Sequence, residues 1–184
     1  MKIRIVVVCL LLTFVQAGTV PPQGAAAKPA AFAFSGVDYF HRYTKNDQHE
    51  YTPAGQADLD KWADMVTIHV YRKVRDGDAL AAMANAVLSN YKANQAVVVR
   101  TSSVPRTKDK LAEHLIVVNF GRPEFIEAVF ARFRMHGGAG SAVIYSHRIY
   151  GKKVGDQMSA WLAKNGEVTE KNLMQWNAMP KLPE

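Results

Sequence analysis

Two long apolar segments flank the glycine-rich stretch HGGAG (136–140), and this arrangement constrains the fold more than any other feature of the sequence. FIEAVFARFRM precedes the glycines and SAVIYSHRIY follows them. Aromatic and β-branched residues favour strands, and paired glycines favour tight turns. The spacing of Phe125, Val129 and Phe133 would also suit a helix, but a β-hairpin over 125–150 is the simpler interpretation because a turn and a second strand follow. A hairpin of this length predicts an antiparallel sheet.

Similar patterns predict the other elements of the chain. Further strands are expected over 37–44, 49–52, 66–74, 96–101 and 115–120, the first two joined by a turn at KNDQ (45–48). Four helices are also expected. The first is short and begins at Thr52 and Pro53, and the second is capped by Asp78. The third spans 156–164 and ends at Asn165 and Gly166, and a last short helix begins at Thr169. We therefore predict one α+β domain, a largely antiparallel sheet covered by helices.

The N-terminal 17 residues have the three parts of a secretory signal peptide. Lys2 and Arg4 precede an apolar stretch over 5–15, and Ala17 provides a small residue for cleavage. We interpret 1–17 as a signal peptide, 18–34 as an Ala/Pro-rich flexible tether and 35–184 as the folded domain. The chain is thus expected to be periplasmic or secreted, and not membrane-spanning once the signal is cleaved.

Cysteine content and charge limit the chemistry of the mature chain. Cys9 is the single cysteine, so cleavage leaves neither a disulfide nor a thiol nucleophile, which favours a bacterial envelope. The formal net charge is +7, and loss of Lys2 and Arg4 leaves +5. This excess favours anionic partners such as lipid head groups, acidic glycans or an acidic protein. We expect no nucleic-acid partner, because of the export signal.

The order of hairpin, helix, strands, long hairpin and terminal helix over about 37–164 resembles the PsbP-like group of small exported α/β/α sandwich proteins. The resemblance rests on this layout and brings no site residue with it. It implies a binding or assembly factor rather than an enzyme.

Arginines in the long hairpin suggest an anion-binding site. Arg132 and Arg134 point the same way in a regular strand, and Arg148 joins them in one of two plausible hairpin registers. Guanidinium groups on one patch bind carboxylate or phosphate in bidentate fashion. In the other register, Arg132 and Arg134 face Val143 and Tyr145 instead.

Histidines provide the candidates for catalysis and metal binding. His41 and His49 face each other if the first hairpin closes at 45–48, and a third ligand would complete a divalent-metal site. His114, which follows Glu113, is a candidate general base. His147 is a further catalytic candidate, with a packed, hydrogen-bonded core histidine as the alternative. Its neighbours Ser146 and Arg148 point to the opposite face of a regular strand.

These observations favour a non-enzymatic exported binding or assembly protein that contacts an anionic ligand or a protein partner and needs no cofactor. One alternative is a small histidine-dependent or metal-dependent hydrolase. Another is an inhibitor or immunity-type protein that acts on a second exported protein.

Overall fold

Eight antiparallel strands form one sheet in the computed structural model, which describes residues 29–181. The strand order across the sheet is β1-β2-β3-β4-β8-β7-β6-β5. The strands are β1 (Phe32–Phe34), β2 (Val37–Lys45), β3 (Gln48–Pro53), β4 (Asp64–Tyr71), β5 (Val97–Val104), β6 (Glu113–Gly121), β7 (Phe125–His136) and β8 (Ala139–Tyr150). The helices are α1 (Gly77–Ala93), between β4 and β5, and α2 (Gly155–Gln175), after β8. The α+β prediction is confirmed.

One helix covers each face of the sheet. Leu80 and Ala84 of α1 pack against Val129 and Phe133 on one face, whereas Met158 and Leu173 of α2 belong to the core on the other face. Both faces of the central strands are therefore buried, and seven consecutive residues of β7 are nearly inaccessible. This explains why the sequence of the hairpin is apolar on both sides instead of alternating.

The long hairpin is confirmed, with a two-residue turn at Gly137 and Gly138. Both glycines have positive φ angles, 57° and 76°, and His136 pairs with Ala139 across the turn. Such a turn requires the left-handed region at both central positions, which glycine adopts without steric cost. The helical alternative for 125–133 is excluded by the pairing of β7 with both β6 and β8.

Two helix predictions are wrong. Residues 54–63 form turns and a loop, and within this segment the side-chain oxygen of Gln56 accepts hydrogen bonds from the backbone N–H groups of Ala63 and Asp64. Asn165 and Gly166 do not end a helix, and α2 continues through Thr169 to Gln175. A glycine inside a helix costs about 1 kcal/mol, and the packing of Met158 and Leu173 on either side of it outweighs that cost.

Two boundaries also differ from prediction. Helix α1 is capped by Asp76, whose carboxylate accepts from the N–H of Ala79 at 2.7 Å, instead of by Asp78. The ordered domain begins before residue 35, since Phe32–Phe34 pairs with β2 and the Phe32 ring stacks on Tyr39. The predicted signal peptide (1–17) and tether residues 18–28 lie outside the described residues.

Candidate functional site

A cleft of about 580 Å³ opens at one end of the sheet, on the face covered by α2. Its walls are the loop between β5 and β6 (105–112), the last residues of β7 and the C-terminal end of α2 with the chain that follows it. The basic side chains of Lys110 and Arg134 lie beside the apolar side chains of Leu111 and Met174. The cleft therefore combines positive charge with an apolar wall.

The loop that carries Lys110 is folded by its own hydrogen bonds. The N–H of Thr107 donates to the Lys110 carbonyl at 2.8 Å, and the N–H of Lys110 donates to the Thr107 hydroxyl at 3.1 Å. Pro105 follows directly after β5 and has no N–H group to continue the ladder. These contacts turn the chain back toward β6 and place Lys110 at the cleft.

Arg132 is an anchor for the C-terminal end of α2. Its Nε and Nη2 donate to the two carboxylate oxygens of Glu113 at 2.7 and 3.0 Å. Its Nη1 donates to the carbonyl oxygens of Leu173 at 2.9 Å and Trp176 at 2.7 Å. Carbonyls at a helix C-terminus have no partner inside the helix and carry partial negative charge, so a buried guanidinium stabilises them. Protein groups thus occupy most donors of Arg132.

Arg134, two residues along β7, has most of its donors without a partner in the part of the chain that the structure describes. The structure gives its guanidinium one hydrogen bond within residues 29–181, from Nη1 to the Asn177 side-chain oxygen at 2.7 Å. The residue is only 7% exposed, and its Nε is buried without a partner in the same range. Burial, followed by repulsion from Arg132, lowers the pKa of Arg134 below its usual value. A guanidinium in this position gains by binding an anion.

Arg148 does not join the other two arginines, so the three-arginine patch expected in one of two hairpin registers does not form. The hairpin register pairs Arg132 with Val143 and places Arg148 opposite Glu127, which puts Arg148 on the other face of the sheet. There its Nε donates to Glu127 at 2.8 Å, and its guanidinium lies over the ring of Trp62. Arg148 is occupied by packing contacts.

His147 lies in a packed, hydrogen-bonded environment. Its Nδ1 is 2.9 Å from Oδ1 of Asp64, and its ring stacks on Trp161 of α2. The Tyr145 hydroxyl donates to the same Asp64 oxygen at 2.7 Å. Ser146 faces the opposite side of the sheet, as the alternation along β8 requires. The contacts match the core alternative for His147, and among residues 29–181 they include no serine, threonine or cysteine hydrogen-bonded to its ring.

His114 lies on the α1 face, away from Glu113. Its Nδ1 is 2.8 Å from the Ser103 hydroxyl, in an opening of about 430 Å³ between α1 and β5. A serine–histidine pair of this kind activates the serine when a third group orients the imidazole. Here the other ring nitrogen, Nε2, is buried without a partner among residues 29–181, and Glu113 is bound to Arg132. Glu113 therefore does not orient the His114 imidazole, and His114 as a general base stays a prediction.

His41 and His49 are brought close together, as the first hairpin predicted. Their ring centroids are 6.4 Å apart, and the Thr44 hydroxyl is hydrogen-bonded to both rings. Burial, followed by repulsion from His41, lowers the pKa of His49. In the part of the chain that the structure describes, no group of three His, Cys, Asp or Glu side chains is arranged to hold a metal ion. Two imidazoles alone fall short of the usual ligand set.

Sequence reasoning missed two residues of the cleft. Lys110 lies in a loop whose basic character is visible in the sequence, but its proximity to β7 follows only from the pairing of β5, β6 and β7. Asn177 lies beyond α2, where the predicted helix boundaries are wrong. No local signal marks Asn177 as the partner of Arg134.

Comparison with known proteins identifies a family for this chain. Residues 26–178 match a protein-family model. The chain belongs to that family. A search of curated proteins gives no match. Among solved structures, the chain is similar to the Ran-binding protein Mog1p of Saccharomyces cerevisiae at 8% identity and a TM-score of 0.46, covering 74% of this chain and 82% of Mog1p.

The family match covers every strand and helix of the structure. It also contains the cleft residues Arg132, Arg134 and Asn177, so the cleft is part of the family domain. Within residues 29–181, neither helix has the length and apolar character that crossing a membrane requires.

Proposed function

We propose that this protein is an exported, non-enzymatic binding protein whose cleft takes a small anionic ligand, a carboxylate or phosphate attached to an apolar group. The observation that carries the proposal is the position of the Arg134 guanidinium. It is nearly buried, lines the cleft and makes one hydrogen bond to other groups among residues 29–181. Hydrogen bonds to charged groups contribute about 1.5–3 kcal/mol each, so an anion that satisfies Arg134 gains substantial affinity.

The charge of the cleft supports an anion. Lys110, Arg132 and Arg134 line it together with one acidic residue, Glu113. Since both Glu113 oxygens already accept hydrogen bonds from Arg132, the other two basic groups are left for a ligand. The positive charge in this cleft therefore exceeds the negative charge.

The remaining walls support an apolar group beside the anionic one. Val104, Leu111, Met135 and Met174 line the cleft, and the side chains of Val104 and Leu111 are about half exposed. Methionine adapts its shape to irregular ligands. A ligand with a short alkyl or aromatic body would cover these side chains while its acid group contacts Arg134.

A calorimetric titration with a matched set of small molecules tests the proposal. Hexanoate is expected to bind more tightly than acetate, which lacks the apolar body, and than hexan-1-ol, which lacks the charge. Arg134→Gln is expected to weaken hexanoate binding roughly 10- to 100-fold, the equivalent of losing about one charged hydrogen bond.

The matched control is Lys108→Gln, which removes one exposed positive charge from the same loop without touching the lining of the cleft. The Lys108→Gln protein is expected to bind hexanoate with an affinity within about twofold of the wild-type value, because charges in solvent are screened. Equal affinities of the wild-type protein for hexanoate and hexan-1-ol, or an Arg134→Gln protein that binds hexanoate normally, would rule the cleft out as an anion site.

Export is the second part of the proposal and rests on residues 1–17. N-terminal sequencing of the full chain produced in a Gram-negative bacterium is the direct measurement. A mature periplasmic protein that begins near residue 18 supports export, whereas an intact N-terminus on cytoplasmic protein contradicts it.

A further inference from the structure

A second pocket, of about 140 Å³, is lined by aromatic rings and one carboxylate. Phe34 of β1, Tyr39 of β2, Asp64 of β4, Tyr145 of β8 and Thr169 of α2 contribute to its wall. It shares no lining residue with the Arg134 cleft. The volume equals that of roughly four or five water molecules, which is the size of a substituted ammonium group.

The carboxylate of Asp64 gives this pocket a negative charge. Burial alone would raise the pKa of Asp64, but hydrogen bonds from His147 and Tyr145 outweigh burial and hold the pKa below its usual value. Both of those bonds reach Oδ1, whereas Oδ2 receives one long contact, 3.3 Å from the Gln56 amide nitrogen. None of the lining residues is a lysine, arginine or histidine. Asp64 thus has acceptor capacity left for a cation.

Three aromatic rings that line the pocket pack against one another at inclined angles. Phe34 and Tyr39 have centroids 6.4 Å apart and planes at 66°, and Phe34 and Tyr145 have centroids 5.5 Å apart and planes at 42°. All three side chains are buried. Burial and the nearby negative charge of Asp64 raise the pKa of Tyr39, which keeps its hydroxyl neutral.

We propose that this pocket binds the ammonium group of a small organic cation. Aromatic faces attract cations through the ring quadrupole, and the attraction grows when the site is desolvated. The neighbouring carboxylate adds direct charge attraction in the same partly buried space. Because the pocket holds only the head group, the rest of the cation extends outward past the rim. The site is independent of the anion-binding cleft and of the function proposed for it.

Choline and its neutral isostere 3,3-dimethylbutan-1-ol are the matched probes, because they have the same shape and differ in charge. The full mature protein is titrated with each at constant ionic strength, and chemical shifts of the aromatic side chains are followed by NMR. Choline is expected to bind at least about tenfold more tightly than the alcohol. Equal affinities, or no saturable shift with choline, would overturn the proposal without any variant.

Two variants locate the site. Asp64→Asn is expected to abolish the preference for choline over the alcohol, and Phe34→Leu, which removes one ring, is expected to weaken choline binding about two- to fivefold. Asp60→Asn is the matched control, since Asp60 is exposed in the preceding loop and does not line the pocket. Because Asp64 accepts several hydrogen bonds, far-UV circular dichroism and a thermal melt first establish that the Asn variant is folded. A choline affinity that is unchanged from wild type in both site variants would place the cation elsewhere.

Discussion

The indole ring of Trp161 lies parallel to the imidazole ring of His147, with 4.1 Å between the ring centroids and 8° between the planes. Trp161 belongs to α2 and His147 to β8, while Asp64 of β4 holds the imidazole from its other side at 2.9 Å. One histidine therefore connects a helix and two strands. These contacts show that the imidazole is a packed, hydrogen-bonded side chain of the core beneath α2.

Removal of the Trp161 ring is expected to loosen α2 from the sheet. Trp161→Ala should lower the free energy of unfolding by about 2–4 kcal/mol, through lost apolar contact and the cavity left behind. Trp161→Phe retains an aromatic ring over His147 and should recover more than half of that loss. Val168→Ala, on the half-exposed surface of the same helix, is the control. Chemical denaturation measures all three, and equal losses in Trp161→Ala and Val168→Ala would contradict the importance of the stack.

The side chains of Arg132 and Glu113 are expected to contribute jointly to the free energy of unfolding, with a large coupling energy between them. Arg132→Met leaves the Glu113 carboxylate and two carbonyls at the end of α2 without a donor, so we expect a loss of about 2–4 kcal/mol. A double-mutant cycle with Glu113→Gln should give a coupling energy of about 1–3 kcal/mol.

The comparison pair for that cycle is Arg72 with Asp47, whose side chains are 72% and 34% exposed. Solvent screens such a pair, and its coupling energy should be clearly smaller. A coupling energy between Arg132 and Glu113 no larger than that of the exposed pair would show that α2 does not depend on this anchor.

Most of the fold could be predicted because its signals are local. The glycine-rich stretch 136–140 indicates the turn of the long hairpin without identifying its two central residues, and the paired strands on either side follow from their composition. The break predicted in α2 was equally local, resting on Asn165 and Gly166. Packing of residues far apart in the chain overrode it, and the sequence around a glycine carries no information about such packing.

The candidate sites could be predicted only in part. The alternation of strand side chains places Arg132 and Arg134 on one face, as observed. The face on which Arg148 lies depends on the hairpin register. A sequence predicts the register when one face of the sheet is apolar and the other is polar. Because helices cover both faces of β7 and β8, the apolar pattern there does not distinguish the two registers. The Asp64 pocket is lined by residues of five separated elements, so no local pattern in the sequence indicates it.

Gly140 is expected to be required for the contact between β8 and the chain that precedes α1. A Cβ at this position would lie 2.5 Å from Cγ1 and 2.7 Å from Cβ of Val74, and the Gly140 N–H donates to the Val74 carbonyl. Gly140→Ala should therefore destabilise the protein by about 1–3 kcal/mol. Adding Val74→Ala should restore part of the loss by making room. Gly55→Ala, where a Cβ meets nothing within 4 Å, is the control, and a Gly140→Ala protein as stable as that control would refute the steric argument.

Mild acid is expected to destabilise the first hairpin through His49. Burial lowers the pKa of His49 in the folded state below the usual value near 6.5, so protonation favours the unfolded chain. The contribution to stability is complete above about pH 6.5 and is lost as the pH falls toward the folded pKa, by at most about 1.4 kcal/mol per pH unit.

His49→Asn should flatten the dependence of unfolding free energy on pH between 7.5 and 5. Part of the dependence should remain, since burial also lowers the pKa of His69 and His136. Thr44→Val, which removes the hydrogen-bond partner but keeps the imidazole, should retain the slope, and an unchanged slope in His49→Asn would show that this histidine does not contribute.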